Sequence, residues 1–320
     1  MGKSRFQSIA GLLVFGSFLF VILGFTGKPP LYYEYAGEWV LEGGSCVAVA
    51  PDGTVFVNGL SYSLLHRFTA SGSYLGAWRV GGEDELFWPQ DVAVTGDGTV
   101  YVAGRRRIKR FDAEGSLLGQ FGVKGDPFYD FYSAHTLAVA PDGTVYVGET
   151  YRMDETNPME DLTPPAFIVY FTNTGSFLGG WGDAEGREFD IPAGMCFAPD
   201  GTLYLADYLN HCIRHFEADG TYLGRIGKER TGREEGEFDL PGDVAVAPDG
   251  TVFILDSGND RVQYFTASGS FLGAWGEEGS GPGQFRAREG IAVGPNGFVY
   301  VVDSVNNRVQ YFRPVAADDK

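Results

Sequence analysis

Four histidines, three cysteines and a surplus of carboxylates are the groups in this sequence that could carry chemistry. A catalytic zinc needs three protein ligands and an open position. His66, His135, His211 and His215 are scattered singly, and Cys46, Cys196 and Cys212 form no C-x-x-C pair. An odd cysteine count argues against a disulfide framework, so all three read as small apolar fillers. No nucleophile–base pair, paired-carboxylate motif or EF-hand loop is present. "GSGPGQF" at 279–285 is glycine-rich but has no following lysine, so it reads as a linker rather than a phosphate cradle. One constellation occurs twice: Asp256, Asn259 and Arg261, then Asp303, Asn306 and Arg308. A carboxylate beside an amide and a guanidinium suits a network that ties a loop to a neighbouring strand.

The elements that must position these groups repeat. "PDG" or a close variant stands at Pro51, Gly96, Pro141, Pro199, Pro248 and Pro295, at spacings of 45, 45, 58, 49 and 47 residues. Such a period points to a propeller or an array. Each unit holds four short apolar runs, as in "DVAVAPDG", "TVFIL", "RVQYF" and "GSFLGAWG", bounded by turn residues, and these read as strands. Proline presets φ for the turn and glycine supplies the left-handed residue that closes the hairpin. Each unit is thus a four-stranded antiparallel meander, and six of them packed radially must close. The last unit lacks its fourth run. "YYEYAGEWVLEGG" at 32–44 resembles that run, so the segment around Tyr33–Val40 is predicted to pair with Asn307–Phe312.

The unit resembles the NHL repeat from about Tyr33 to Arg313, most clearly at Phe238–Gly276 and Phe285–Phe312. Asp256, Asn259 and Arg261 match the D-x-x-N-x-R of that family, as do Asp303, Asn306 and Arg308. The resemblance implies a six-bladed β-propeller. The fourth unit departs from it, with Cys212 where the motif has arginine. The second unit shortens the corresponding loop to "AGRRRIKRF" and the third expands it to "YRMDETNPMEDLTPPA".

The residue two before each inner strand is expected at the mouth of the central channel. That column reads Ser45, Gln90, His135, Ala193, Gly242 and Glu289. Among propellers of the resembled family, the lyase that completes peptide amidation carries zinc-binding histidines there. Here only His135 fits, so a lyase of that kind is not expected. His135, Glu289 and Gln90, with Asp91 and Asp243 nearby, offer at most a site for calcium or another ion. The loops after the second strands and between blades share one face and vary most, which favours function there. On that face Arg105, Arg106 and Arg107 neighbour the aromatic run Phe128, Tyr129, Phe131 and Tyr132 and the insertion 151–165, which carries Asp154 and Glu155. These pair as surface salt bridges or form a platform that grips a partner.

At the front, Lys3 and Arg5 precede an uncharged stretch in which 9–25 reads "IAGLLVFGSFLFVILGF". That is near the shortest span of a hydrocarbon core, with its basic flank inside. It reads as a retained anchor, or alternatively as a cleaved signal for secretion. The formal charge of −18 opposes nucleic acid and anionic lipid surfaces. The expectation is therefore an all-β, six-bladed propeller (33–313) behind a stub (1–8), an apolar helix (9–26) and a linker (27–32), with a tail at 314–320. Its expected role is a non-enzymatic, extracytoplasmic scaffold for a protein, peptide or glycan, without a cofactor. The alternative is a metal-dependent lyase, lactonase or hydrolase working at the channel mouth.

Overall fold

Each "PDG" hairpin is closed in the same way. In the first, Ala50 N–H donates to Thr54 O at 2.8 Å and Gly53 N–H to Ala50 O at 2.9 Å, with Gly53 at φ +87°. The aspartate adds a third tie, because Thr54 N–H donates to Asp52 Oδ1 at 2.8 Å. The same bond recurs at Asp97, Asp142, Asp200 and Asp249, and Asn296 makes it in the sixth repeat. A short polar side chain that accepts from the backbone two residues on is why Asp or Asn stands at every one of these turns.

The computed structural model describes residues 32–59, 63–81, 89–104, 107–122, 134–149, 167–182, 190–286 and 289–315. Among the described residues there are six four-stranded antiparallel sheets. Blade 1 runs Val47–Val49, Val55–Asn58, Leu64–Phe68 and Tyr74–Arg79 from axis to rim. Blade 2 begins at the axis with Pro89–Val94, blade 3 with Ala134–Val139, blade 4 with Pro192–Phe197 and blade 5 with Pro241–Val246. Blade 6 consists of Gly290–Val293, Val299–Asp303 and Arg308–Val315, and its rim strand is Tyr32–Val40. The closure predicted from the sequence is present: Tyr35 faces Phe312, Trp39 faces Val309 and Val40 faces Arg308. The apolar stretch 9–25 lies outside the described residues. Among those described, no helix is long and apolar enough to cross a membrane.

Burial follows from radial stacking. Second strands such as Val252–Asp256 are covered by a blade on each side and every residue is buried. Rim strands alternate, as in Tyr74–Arg79. Neighbouring blades interlock through one contact. The aromatic ring near the end of a rim strand packs on the glycine of the next blade's outer hairpin: Trp39 on Gly72, Trp78 on Gly115, Phe121 on Gly175 and Trp181 on Gly220. A Cβ at Gly115 would stand 2.5 Å from the Trp78 ring, so only glycine admits it. Blade 6 has no such hairpin, because the chain ends meet there. Tyr33 takes its place and stacks on Trp275 with centroids 5.2 Å apart. Second-strand tyrosines reinforce alternate interfaces: Tyr101, Tyr204 and Tyr300 donate to the carbonyls of Asn173, Ala267 and Ala70 in the following blade.

Gly98 and Gly115 separate the two costs of replacing a hairpin glycine. Both have positive φ, but a Cβ at Gly98 would meet only Ala113, at 3.8 Å. Gly98→Ala is expected to cost about 1 kcal/mol and Gly115→Ala about 2–4 kcal/mol in urea unfolding. Equal losses would show that the ring-on-glycine contact does not hold the blades.

Candidate functional site

The six inner strands run side by side around the axis, so residues at equal register form rings. The uppermost ring is the predicted column, Ser45, Gln90, His135, Ala193, Gly242 and Glu289. In four blades this residue is the second of the inner strand rather than a residue ahead of it, and it sits on a β-bulge. The register breaks between Pro89 and Asp91, Ala134 and Thr136, Pro192 and Gly194, and Pro241 and Asp243. A bulge re-aims a side chain and is common beside active sites. Gln90 and Glu289 are exposed and His135 is half-buried. Burial holds the His135 imidazole below its ordinary 6.5, hence neutral at pH 7.

One residue deeper, the ring reads Cys46, Asp91, Thr136, Gly194, Asp243 and Gly290. Asp91 and Asp243 stand on opposite blades, and both line a channel cavity of about 220 Å³. Each carboxylate staples its blade to the next. Asp91 Oδ2 accepts from Leu137 N–H at 2.8 Å and Thr136 Oγ1 at 2.9 Å, and its Oδ1 accepts from Val92 N–H at 2.8 Å. Asp243 Oδ2 accepts from Ile291 N–H and its Oδ1 from Val244 N–H, both at 2.8 Å. Gly194 leaves room for this: a Cβ there would overlap Asp243. Burial raises Asp91 from the ordinary 3.8 to about 6, against the pull of its donors. Burial raises Asp243 well above its ordinary value, and the nearby Asp91 charge adds to it.

The D-x-x-N-x-R groups are scaffold. Asp256 is fully buried. It accepts from Asn259, Arg261 and Gln263, and from the backbone N–H of Asp239, 17 residues earlier. Asp303 does the same with Asn306, Arg308, Gln310 and the Arg286 N–H. In blade 4, where Cys212 replaces the arginine, Arg214 Nε donates to Asp207 instead. Arg214 is two residues further along the strand, in the register position of Gln263 and Gln310. Strand period 2 puts it on the same face, so the guanidinium is kept and reaches from the neighbouring rung.

Among the described residues no ion cage is formed. His135 and Glu289 belong to blades 3 and 6, opposite each other around the axis. The oxygens of Asp91 and Asp243 are engaged by backbone N–H groups. Among the described residues no group of three or more His, Cys, Asp or Glu could hold a metal ion. The described residues of the mouth therefore do not by themselves assemble the ion site that the sequence suggested for His135, Glu289, Gln90, Asp91 and Asp243. Arg107 opens the third strand of blade 2, opposite Gly104. Arg105, Arg106, Phe128, Tyr129, Phe131, Tyr132, Asp154 and Glu155 lie outside the described residues. His66 and His215 lie on third strands, away from the column, as the sequence indicates. The Asp91–Thr136 staple beneath His135 was not anticipated. Its signal in the sequence is that "DVAV" carries its aspartate only in the second and fifth repeats.

NHL repeats match residues 189–216, 238–265 and 289–312. No curated protein matches the chain. Among solved structures, virginiamycin B lyase from Staphylococcus aureus is 12% identical with a TM-score of 0.58, over 87% of this chain and 99% of that one. A streptogramin B lyase is 14% identical with a TM-score of 0.56, over 88% and 98%. A catalytically inactive histidine-to-alanine form of the Staphylococcus aureus enzyme with quinupristin gives 12%, 0.59, 87% and 99%. At these identities the likeness establishes the shared fold. It also corrects the expectation of a non-enzyme, which rested on the absence of a recognisable catalytic or zinc constellation. The three propellers named are lyases, so that absence is no argument against catalysis on this frame.

The Asp91 staple has a pH signature. Between pH 4 and 6 the folded protein holds a proton that the unfolded chain has released. This contribution to stability is full below about pH 4 and is lost as pH rises through 6. From pH 4 to pH 7, the unfolding free energy of Asp91→Asn should gain on that of the wild type by about 2–3 kcal/mol. A difference that does not change with pH would mean that Asp91 titrates as an ordinary surface carboxylate.

Proposed function

We propose that this chain is a propeller enzyme of the lyase or hydrolase class, acting at the upper channel mouth on an ester- or amide-bearing peptide-like substrate. The observation that carries the reading is His135: neutral, half-buried, placed on a bulge at the head of an inner strand and seated directly above Thr136, which Asp91 fixes. A neutral imidazole held on a rigid strand is a competent general base. Further support is the fold shared with streptogramin-type lyases, one of which was inactivated by replacing a histidine.

His135 takes a proton from the carbon beside a substrate carbonyl. That electron pair forms a carbon–carbon double bond, the carbon–oxygen bond one atom further along breaks, and the departing oxygen takes up a proton, which the His135 imidazolium gives back directly or through solvent at the open mouth. Gln90, exposed on the neighbouring blade, offers an amide N–H to the polarised carbonyl. In the hydrolytic variant His135 instead takes the proton of an attacking water. We also place the propeller outside the cytoplasm; support comes from Lys3 and Arg5 ahead of the uncharged apolar stretch 9–25.

The test is incubation of the purified protein with quinupristin and a panel of cyclic esters and amides, followed by mass spectrometry. Ring opening without change in mass marks elimination, and gain of one water marks hydrolysis. His135→Ala should lower kcat/KM by about 10²–10⁴ while thermal unfolding stays within a few degrees of the wild type. No turnover across the panel, or undiminished turnover by the variant, would refute the reading.

A further inference from the structure

The channel has a second, opposite opening that the proposed chemistry does not use. It widens into a funnel of about 970 Å³. Its floor is a belt of apolar side chains contributed once per blade: Val49, Val94, Val139, Phe197, Val246 and Val293. The same six line the underside of the acidic cavity, so they divide the channel into two compartments. The walls of the funnel carry Pro51, Pro141, Pro199, Pro248 and Pro295 from the hairpin turns. Toward the gap between blades 2 and 3 it continues past Leu118, which is 47% exposed.

Asp97 and Asp142 line this funnel. Asp52, Asp200 and Asp249 hold the same turn position in blades 1, 4 and 5, Asn296 holds it in blade 6, and all six are exposed. Each aspartate uses Oδ1 for its own turn, and no bond within the turn engages Oδ2. Hydroxyl and backbone donors of the adjacent threonines hold Asp97 and Asp200 below the ordinary carboxylate value. Arg110, the cation among the described lining residues, is turned to the Asn173 carbonyl at 2.6 Å. Carboxylates at five of the six turns beside an apolar, proline-walled depression disfavour a second copy of this chain, whose net charge is −18. They select an occupant with an apolar tip and basic flanks.

We propose that the lower funnel binds a protruding cationic peptide segment of a partner protein, with an aliphatic or aromatic residue seated on the valine–phenylalanine belt and lysines or arginines against the turn aspartates. Engagement by exposed carboxylates is fast and salt-sensitive, whereas the apolar seat sets which residue is accepted. The surface is separate from the upper mouth, so the two sites fail independently.

The probe is a fluorescent peptide of sequence Lys-Lys-Leu-Lys-Lys, titrated with the full chain and read by anisotropy. Controls are the same peptide with serine for leucine, the glutamate analogue, and spermine as competitor. Binding of the leucine peptide at least about tenfold tighter than either peptide control, weakened about tenfold on raising salt from 0.05 to 0.5 M, is expected. Asp97→Asn combined with Asp142→Asn keeps the Oδ1 acceptors and hence the turns, and should weaken binding about tenfold. Leu118→Ser should weaken the leucine peptide and leave the serine peptide unchanged. Equal affinity for the leucine and serine peptides, full displacement by spermine at equimolar charge, or insensitivity to both variants would overturn the proposal. So would self-association of the chain through this face in sedimentation. His135→Ala must leave the titration unchanged.

Discussion

The pairing of Tyr32–Val40 with Arg308–Val315 is the constraint on which the remaining structure depends. Five blades are continuous in sequence and form from neighbouring strands. The sixth joins segments at opposite ends of the propeller. The seam is reinforced beyond its ladder. Arg308 donates to Glu38 at 2.8 Å while also holding Asp303, so one guanidinium spans the rim strand, the second strand and the linker carbonyls of Ser280, Gly281 and Gln284. Tyr33 fills on Trp275 the place that a hairpin glycine takes elsewhere. A ring with no free blade edge keeps the inner strands at fixed distance, and that distance creates the channel.

Within the ring the axial residues serve two ends. The deeper rings are small or apolar and pack the frame, with alanine in five blades and Cys196 in the fourth, then valine in five and Phe197 in the fourth. The ring below the mouth engages two half-buried carboxylates with backbone N–H groups of the next blade. Burial among neutral donors shifts both carboxyls toward the protonated form relative to water. The mouth ring is then free to vary, because the backbone beneath it is fixed by bulge and staple. His135 and Gln90 are side chains of that varied ring.

Much of this was legible in the sequence because it rests on local turn chemistry. The Pro-Asp-Gly period fixed the blade count, and "YAGEW" near residue 35 could be read as a displaced "YLGAW" because glycine and tryptophan keep their spacing in the rim strand. What was not legible depended on contacts across blades. Cys212 looked like a lost arginine, yet Arg214 supplies the same guanidinium from the next rung, which motif spacing cannot express. Asp91 and Asp243 looked like candidate ion ligands beside the channel mouth. Their actual partners are N–H groups 46 and 48 residues away in sequence. The absence of a recognisable catalytic or zinc constellation in the sequence does not report on catalysis, because a propeller frame carries lyase activity in proteins that share the fold at 12–14% identity.

The measurement that bears most directly on ring closure is hydrogen exchange, followed by mass spectrometry, on the chain begun at Pro29 and on one begun at Leu41. If the rim strand fastens the wheel, the longer chain protects the amides of Arg308–Phe312 as strongly as those of the blade 5 strand Arg261–Phe265. The shorter chain then loses protection in blades 1, 5 and 6 together. Unchanged protection in the chain begun at Leu41 would contradict the account.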